Sequence, residues 1–384
     1  MSILEYFEPV SLDKPEDENL LLNQNVLCRN IDIHVPDTNI ADLSSYDIVI
    51  FGVPEFRACA QKGIEPSTDF VREKLYQLNF FDKKIRILDL GNLKLGNTIS
   101  DTYYGLRDVL LDILALKIVP IIIGGSQDLT YGITLAFEYL KKNYTLATVD
   151  SRIDVAFENF TVIGNKNYLN SIVMDSSFLF EQINLGHQAC FANADCNDIY
   201  ESLFHENMRL GILRNNIRIA EPFLRDSNIV SIDFSCVKYA DAPGQLSITP
   251  NGFNAEDICQ VAHYSGLSEN VKVFALFDLA NNNDSLKVTA SLAAETIWYF
   301  INSFAVKPKE FPGLSPEQFM HYIVSFDEDN RITFFKSQLS NRWWCEVPVK
   351  EGLPHIIACS EEDYKMASQN LIPDRWLKLF KKLN

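Results

Sequence analysis

Asp150, Arg152 and Asp154 stand two apart at the end of the apolar segment Tyr144 to Val149. A strand alternates its side chains, so the three are expected to leave on one face at the strand's carboxyl end. Open α/β sheets build their sites at such ends. Two carboxylates there have the makings of a metal cage. A guanidinium has only donors and cannot ligate a metal, so Arg152 marks the cage as altered. Other apolar runs also end in polar groups: Gly124-Gly125-Ser126-Gln127-Asp128, Ser231 to Ser235 around Asp233, and Asp278 with Asn281 and Asn283.

The elements that must hold these residues alternate along the chain. Strands are expected at Asp47 to Phe51, Ile85 to Leu90, Ile118 to Ile123, Tyr144 to Val149, Phe160 to Ile163, Gln182 to Leu185, Ile229 to Phe234 and Val271 to Leu279. Between them, helical periodicity covers Thr68 to Leu78, Tyr103 to Lys117, Leu129 to Lys142, Asn165 to Phe180, Ile199 to Leu210, Ala255 to Tyr264 and Val288 to Phe304. Near-continuous apolar strands separated by helices predict a mainly parallel sheet covered on both faces, a three-layer α/β/α architecture. Lys307 to Pro312 reads as a linker. Beyond it come a β element at Ile332 to Phe335, the Trp343-Trp344 pair, expected to cover apolar surface, and a helix near Trp376 to Lys382. The expected division is an N-terminal extension (1–44), a main domain (45–305) and a C-terminal extension (306–384) folded onto it.

Composition bounds the function. The chain has 384 residues, 47% hydrophobic, with a formal net charge of −17. Nucleic acid is excluded as a partner, because a phosphate backbone needs a basic surface. No apolar run reaches the ~18 residues of a membrane span, and the acidic start carries no signal-peptide pattern. Eight cysteines without CxxC spacing read as reduced, mostly buried thiols, Cys236 among them as a packing residue, and the cytoplasm is the expected compartment. Ser126, Ser151 and Ser235 have no nearby histidine to activate a nucleophile. His187 reads as a structural histidine, and the glycine pair as a tight turn rather than a phosphate cradle.

With these motifs in order, the chain resembles the ureohydrolase family of arginases, agmatinases and formiminoglutamases. That family carries GGDHS, DAHxD, SxDxDxxDP, an APG run and a late ExNP segment. Here Gly124 to Asp128, Asp150 to Asp154, Ser231 to Ser235, Ala242-Pro243-Gly244 and Asn281 to Asn283 follow in the same order, preceded by Gly52-Val53-Pro54 with Gly63 and Arg72. Thr249-Pro250-Asn251-Gly252-Phe253 and Thr289 to Ala294 resemble two further family segments, and the resemblance covers about residues 45–305.

The resemblance implies an arginase-like fold and a pair of Mn²⁺ ions sharing a hydroxide. It also implies which positions have changed. The GGDHS histidine is matched by Gln127, the DAHxD ligands by Asp150, Arg152 and Asp154, the SxDxD aspartates by Asp233 and Ser235, and the ExNP glutamate by Asn281. Gln127 with Asp150, Asp154 and Asp233 keeps an oxygen set for one hard ion, Mg²⁺ or Mn²⁺; the second ion's position faces Arg152. Three converging carboxylates repel, each close pair by about 4 kcal/mol at ~4 Å and an effective dielectric near 20. A cation or a proton must relieve them. Arg152 is expected to do so by bridging two of them. The cofactor expectation is therefore no metal or one hard ion, not a full Mn pair.

Two functions compete. One is a non-catalytic binding, regulatory or assembly module. The other is a hydrolase of linear amidines, formiminoglutamase-like or agmatinase-like, with an atypical site. No catalytic residue is assigned with the former site at Arg152, Ser235 and Asn281; the ligand crevice is expected at Gln127, Asp128, Arg152, Asn281 and Asn283. The family's habits imply a homo-oligomer.

Overall fold

A computed structural model describes residues 3–11, 25–36, 40, 42–80, 85–155, 162–191, 194–326 and 330–384, without side chains at 194–197. In chain order the main body holds β1 (Phe7–Glu8), β2 (Asp32–Ile33), β3 (Ile48–Val53), α1 (Thr68–Gln77), β4 (Ile87–Leu93), α2 (Ile99–Ala115), β5 (Val119–Gly124), α3 (Leu129–Leu140) and β6 (Tyr144–Val149). It continues with α4 (Tyr168–Asp175), β7 (Leu179–His187), α5 (Ala194–Ser202), β8 (Glu206–Arg209), α6 (Leu210–Asn215), α7 (Glu221–Asp226), β9 (Ile229–Asp233), α8 (Ala255–Gly266), β10 (Val273–Phe277) and α9 (Val288–Val306).

These strands form one sheet in the order β1-β4-β3-β5-β10-β9-β6-β7-β8, with β2 also against β4. Every pairing is parallel except β1 with β4. Alternate strand residues feed two cores. Ile121, Ile123, Val149 and Ile232 pack with α1, α8 and α9, whereas Ile122, Leu146 and Phe277 pack with α2, α3 and α4. Both sheet faces are thus covered, which is why the strands are apolar throughout. The chain crosses from β5 to β6 and later returns to lay β9 and β10 between them, so β5, β10, β9 and β6 are consecutive neighbours. Their carboxyl ends open on one crevice at the point where the strand order reverses.

The tail is a second sheet. β11 (Phe319–Ser325), β12 (Arg331–Ser337), β13 (Trp343–Val347) and β14 (His355–Cys359) form an antiparallel meander, followed by α10 (Glu361–Ser368) and α11 (Asp374–Leu383). Trp343 lies in a small core with Phe334, Ile357 and Trp376, while Trp344 faces the other way with Phe319 and Phe335. Arg225 of α7 docks the sheet: its Nη2 donates to the Trp343 carbonyl (2.9 Å) and the Cys359 carbonyl (3.2 Å), and its guanidinium lies 4.1 Å from the centre of the Trp344 ring.

Several expectations need correction. The helix placed at Asn165 to Phe180 stops at Asp175, and β7 has begun by Leu179. The helix placed at Ile199 to Leu210 is three elements: α5, the polar edge strand β8, and α6. The strand placed at Phe160 to Ile163 lies partly outside the described residues, and Val162 and Ile163 are not in a strand. The single β element at Ile332 to Phe335 is one strand of four.

Candidate functional site

The four neighbouring strand ends bring together most of the expected residues and one more. Asp150 follows β6, Asp233 ends β9, Asp278 follows β10, and Gln127 lies three residues past β5. Asp154 arrives from the loop after β6. All five are buried, from 1% exposed for Gln127 and Asp150 to 6% for Asp154 and Asp233.

Local hydrogen bonds turn each loop. Asp150 Oδ1 accepts from the Arg152 amide (2.8 Å), Asp233 Oδ1 from the Ser235 amide (2.6 Å), and Asp278 Oδ1 from the Gln127 amide (3.1 Å). Short polar side chains that accept from nearby amides are ordinary turn formers. One oxygen of each of these three aspartates is therefore already engaged by backbone. Asp150 Oδ2 and Gln127 Oε1 are buried without a hydrogen-bond partner among the described residues. Asp278 also holds a left-handed backbone (φ +60°), a strained conformation for a non-glycine residue that tends to occur at functional sites. Sequence reasoning quoted Asp278 at its strand end without assigning it to the site. The signal was the one that picked Asp150: the first polar residue after a buried strand.

Burial is the first cause of an upward shift in all four aspartates, and their mutual repulsion comes next. Asp154 is pushed up to about 8, with Asp233 adding to the rise. Asp150, Asp233 and Asp278 lie well above the ordinary carboxylate range, raised further by Asp154, Asp150 and Asp233 respectively. Asp154 is the neighbouring charge that bears most on Asp150. Burial and mutual repulsion both act in the direction that favours the neutral acid, and a nearby cation would act against them.

Arg152 does not occupy the place expected of it. β6 ends at Val149, so strand alternation no longer governs residues 150 to 154. Asp150 and Asp154 point inward, and Arg152 stays half-buried at the rim. Its guanidinium lies 4.4 Å from the centre of the Phe191 ring and makes no ion pair with an aspartate among the described residues. A cation over an aromatic face at the rim keeps part of its hydration, which a bridge inside the pocket would remove. Its field still lowers Asp154 and Asp233 somewhat.

The remaining expected residues are dispersed. Asp128 is buried, takes a 2.5 Å bond from the Tyr103 hydroxyl, and is pushed up to about 7 by burial. Ser235 Oγ accepts from the Ser247 amide (3.2 Å) and reaches Asp278 Oδ2 only at 3.5 Å. Asn281 Oδ1 accepts from Lys287, which turns it toward α9, and Asn283 is exposed. Tyr168, unforeseen, is fully buried; its hydroxyl lacks a hydrogen-bond partner among the described residues and feels Asp154 and Asp150.

The residues do not fit a two-ion centre. Gln127 and Arg152 stand at two donor positions, and a guanidinium offers no lone pair.

A mainly parallel α/β sheet with an acidic crevice at its strand-order reversal defines the class of α/β proteins that carry their sites on strand-end loops. The comparisons are more specific. The arginase-family profile matches residues 46–302, and the chain belongs to that family. It is 23% identical over 272 residues to a formimidoylglutamase of Clostridium tetani, covering 65% of this chain and 78% of that protein. The fold is similar to that of a Trypanosoma cruzi formiminoglutamase crystallised with Mn²⁺ (TM-score 0.61, 19% identity, 70% of this chain and 96% of that one). It is also similar to the agmatine ureohydrolase of Thermoplasma volcanium (TM-score 0.56, 18% identity, 69% and 92%). No described helix is long and apolar enough to cross a membrane.

Proposed function

We propose that this arginase-family chain is a non-catalytic binding, regulatory or assembly module that has lost the two-ion centre. The reading rests on the donor set: by the motif resemblance, Gln127, Arg152, Ser235 and Asn281 correspond to positions where the family's chemistry needs two imidazoles and two carboxylates. Of the retained aspartates, Asp150 and Asp233 each engage a loop amide with one oxygen. A hydroxide at neutral pH needs strong cationic charge beside it, and the cation Arg152 lies over Phe191 instead. The reading keeps the division into an N-terminal extension (1–44), an arginase-like domain (45–305) and a C-terminal extension (306–384), in a cytoplasmic homo-oligomer.

A second reading has its own support. Asp150 Oδ2 and Gln127 Oε1 are buried acceptors without partners among the described residues, suited to one hard divalent ion. On that reading the chain is a hydrolase of linear amidines with an atypical site. The test is hydrolysis of formiminoglutamate, agmatine, arginine and guanidinobutyrate with Mn²⁺ supplied. No turnover above background is expected; turnover abolished by Asp233→Asn would establish the second reading.

A further inference from the structure

Beside the acid crevice, at the carboxyl ends of β7 and β8, the structure opens a cavity of about 690 Å³. That size suits a small-molecule ligand. Among the described residues its wall includes His187, Gln188, Cys190, Arg209, Arg214 and Asn251, and no aspartate or glutamate. In a chain of net charge −17, two guanidiniums facing one cavity are a local inversion of charge. Neither Arg209 nor Arg214 forms an ion pair among the described residues.

His187 supplies the second observation. It is only 3% exposed, it lines the cavity, and its Nδ1 has no hydrogen-bond partner among the described residues. Its position is set by a bulge: Leu185 pairs with Met208 and His187 with Arg209, so two steps of β7 oppose one step of β8. The extra residue is Gly186, with φ +105°, and a Cβ there would come 2.3 Å from the Phe253 ring. Bulges of this kind re-aim a side chain; this one sets His187 beside Arg209. Gln188 and Asn251 fix the neighbouring wall through a reciprocal pair of 3.0 Å bonds.

We propose that this cavity binds a small organic anion, through charge-assisted hydrogen bonds from Arg209 and Arg214, with the buried His187 ring as the polar floor between them and the sheet. Planar guanidiniums match carboxylate and phosphate oxygens, and the mostly apolar wall accommodates a short carbon skeleton. The Gln188 amide donates to the Ser151 carbonyl at 2.9 Å, so the occupied cavity lies one peptide from Arg152.

The test uses the full chain with two probes, inorganic phosphate and succinate, titrated by calorimetry at constant ionic strength made up with sodium chloride. Saturable binding of at least one probe, one per chain, is expected. R209Q/R214Q should weaken it by about tenfold or more while leaving the unliganded melting temperature unchanged, because both arginines are exposed. Cys190 is exposed in the same wall, so its alkylation by iodoacetamide, read by peptide mass, should slow with the bound anion. Binding of phosphate alone or succinate alone supports the proposal and assigns the headgroup. No saturable binding of either up to about 10 mM, binding unchanged in R209Q/R214Q, or Cys190 left unprotected would overturn it.

Discussion

Glu181→Gln should stabilise the protein at pH 8 far more than at pH 5. Glu181 lies inside β7, 2% exposed, with Oε2 3.8 Å from the Arg375 guanidinium and Oε1 without a hydrogen-bond partner among the described residues. Burial pushes its carboxyl up to about 7 from an ordinary 4.5; Arg375 opposes the rise and Glu206 adds to it. A folded-state value above the unfolded one means that the native chain holds the proton more tightly. That stability is fully present below pH 4.5 and is lost as pH rises through about 7. The full span is worth about 3 kcal/mol at ~1.4 kcal/mol per pH unit, of which about 2.5 kcal/mol falls between pH 5 and 8. Glutamine has the same shape and no charge, and Arg375 keeps Asp226 at 2.8 Å, so the variant leaves no stranded cation. Urea unfolding of both proteins at pH 5 and pH 8 measures the difference. The stability gain of the variant should grow by about 2.5 kcal/mol between the two. A pH-independent difference would refute the reasoning.

Arg225→Ala removes two charge-assisted bonds to β13 and β14 and leaves Glu221, 3.1 Å away, without that partner. A loss of about 3–5 kcal/mol is expected in urea unfolding, with earlier protease cleavage in residues 306–384. Gly125→Ala would bring a Cβ within 2.0 Å of the Glu55 carbonyl oxygen and 2.6 Å of the Glu55 carbonyl carbon and amide nitrogen, contacts that only a backbone shift relieves. Destabilisation by about 2 kcal/mol or more, measured the same way, is expected. The double variant Q127H/R152H restores two imidazoles. Outer-shell losses alone typically change metal affinity 10–100-fold, so Mn²⁺ affinity by calorimetry should rise at least about tenfold.

The sequence carried the main sheet where burial is two-sided. Ile121-Ile122-Ile123 and Tyr144 to Val149 are apolar throughout because helices cover both faces, and Tyr144–Val149 is β6 to the residue. β8 was illegible for the opposite reason: Glu206-Asn207-Met208-Arg209 is a partly exposed edge strand with neither alternation nor an apolar run. β13 was missed because Trp343 and Trp344 serve different cores on opposite faces, which erases the period of two. In the site, Gln127, Asp150, Asp154 and Asp233 were legible from strand ends and motif order. Arg152 was misplaced because alternation was extended past Val149, where the Asp150 carboxylate caps the turn. Its partner Phe191 lies 39 residues away, beyond any local pattern.

Metal content per chain is the most direct measurement of the central claim. The protein is purified without chelator, equilibrated with excess Mn²⁺ and desalted, and bound metal is determined by mass spectrometry. Fewer than two Mn²⁺ ions per chain are predicted, because two motif positions that supply imidazoles in the family are here Gln127 and Arg152, and Arg152 lies over Phe191 with no lone pair to offer. Two stoichiometric Mn²⁺ ions per chain would contradict the account.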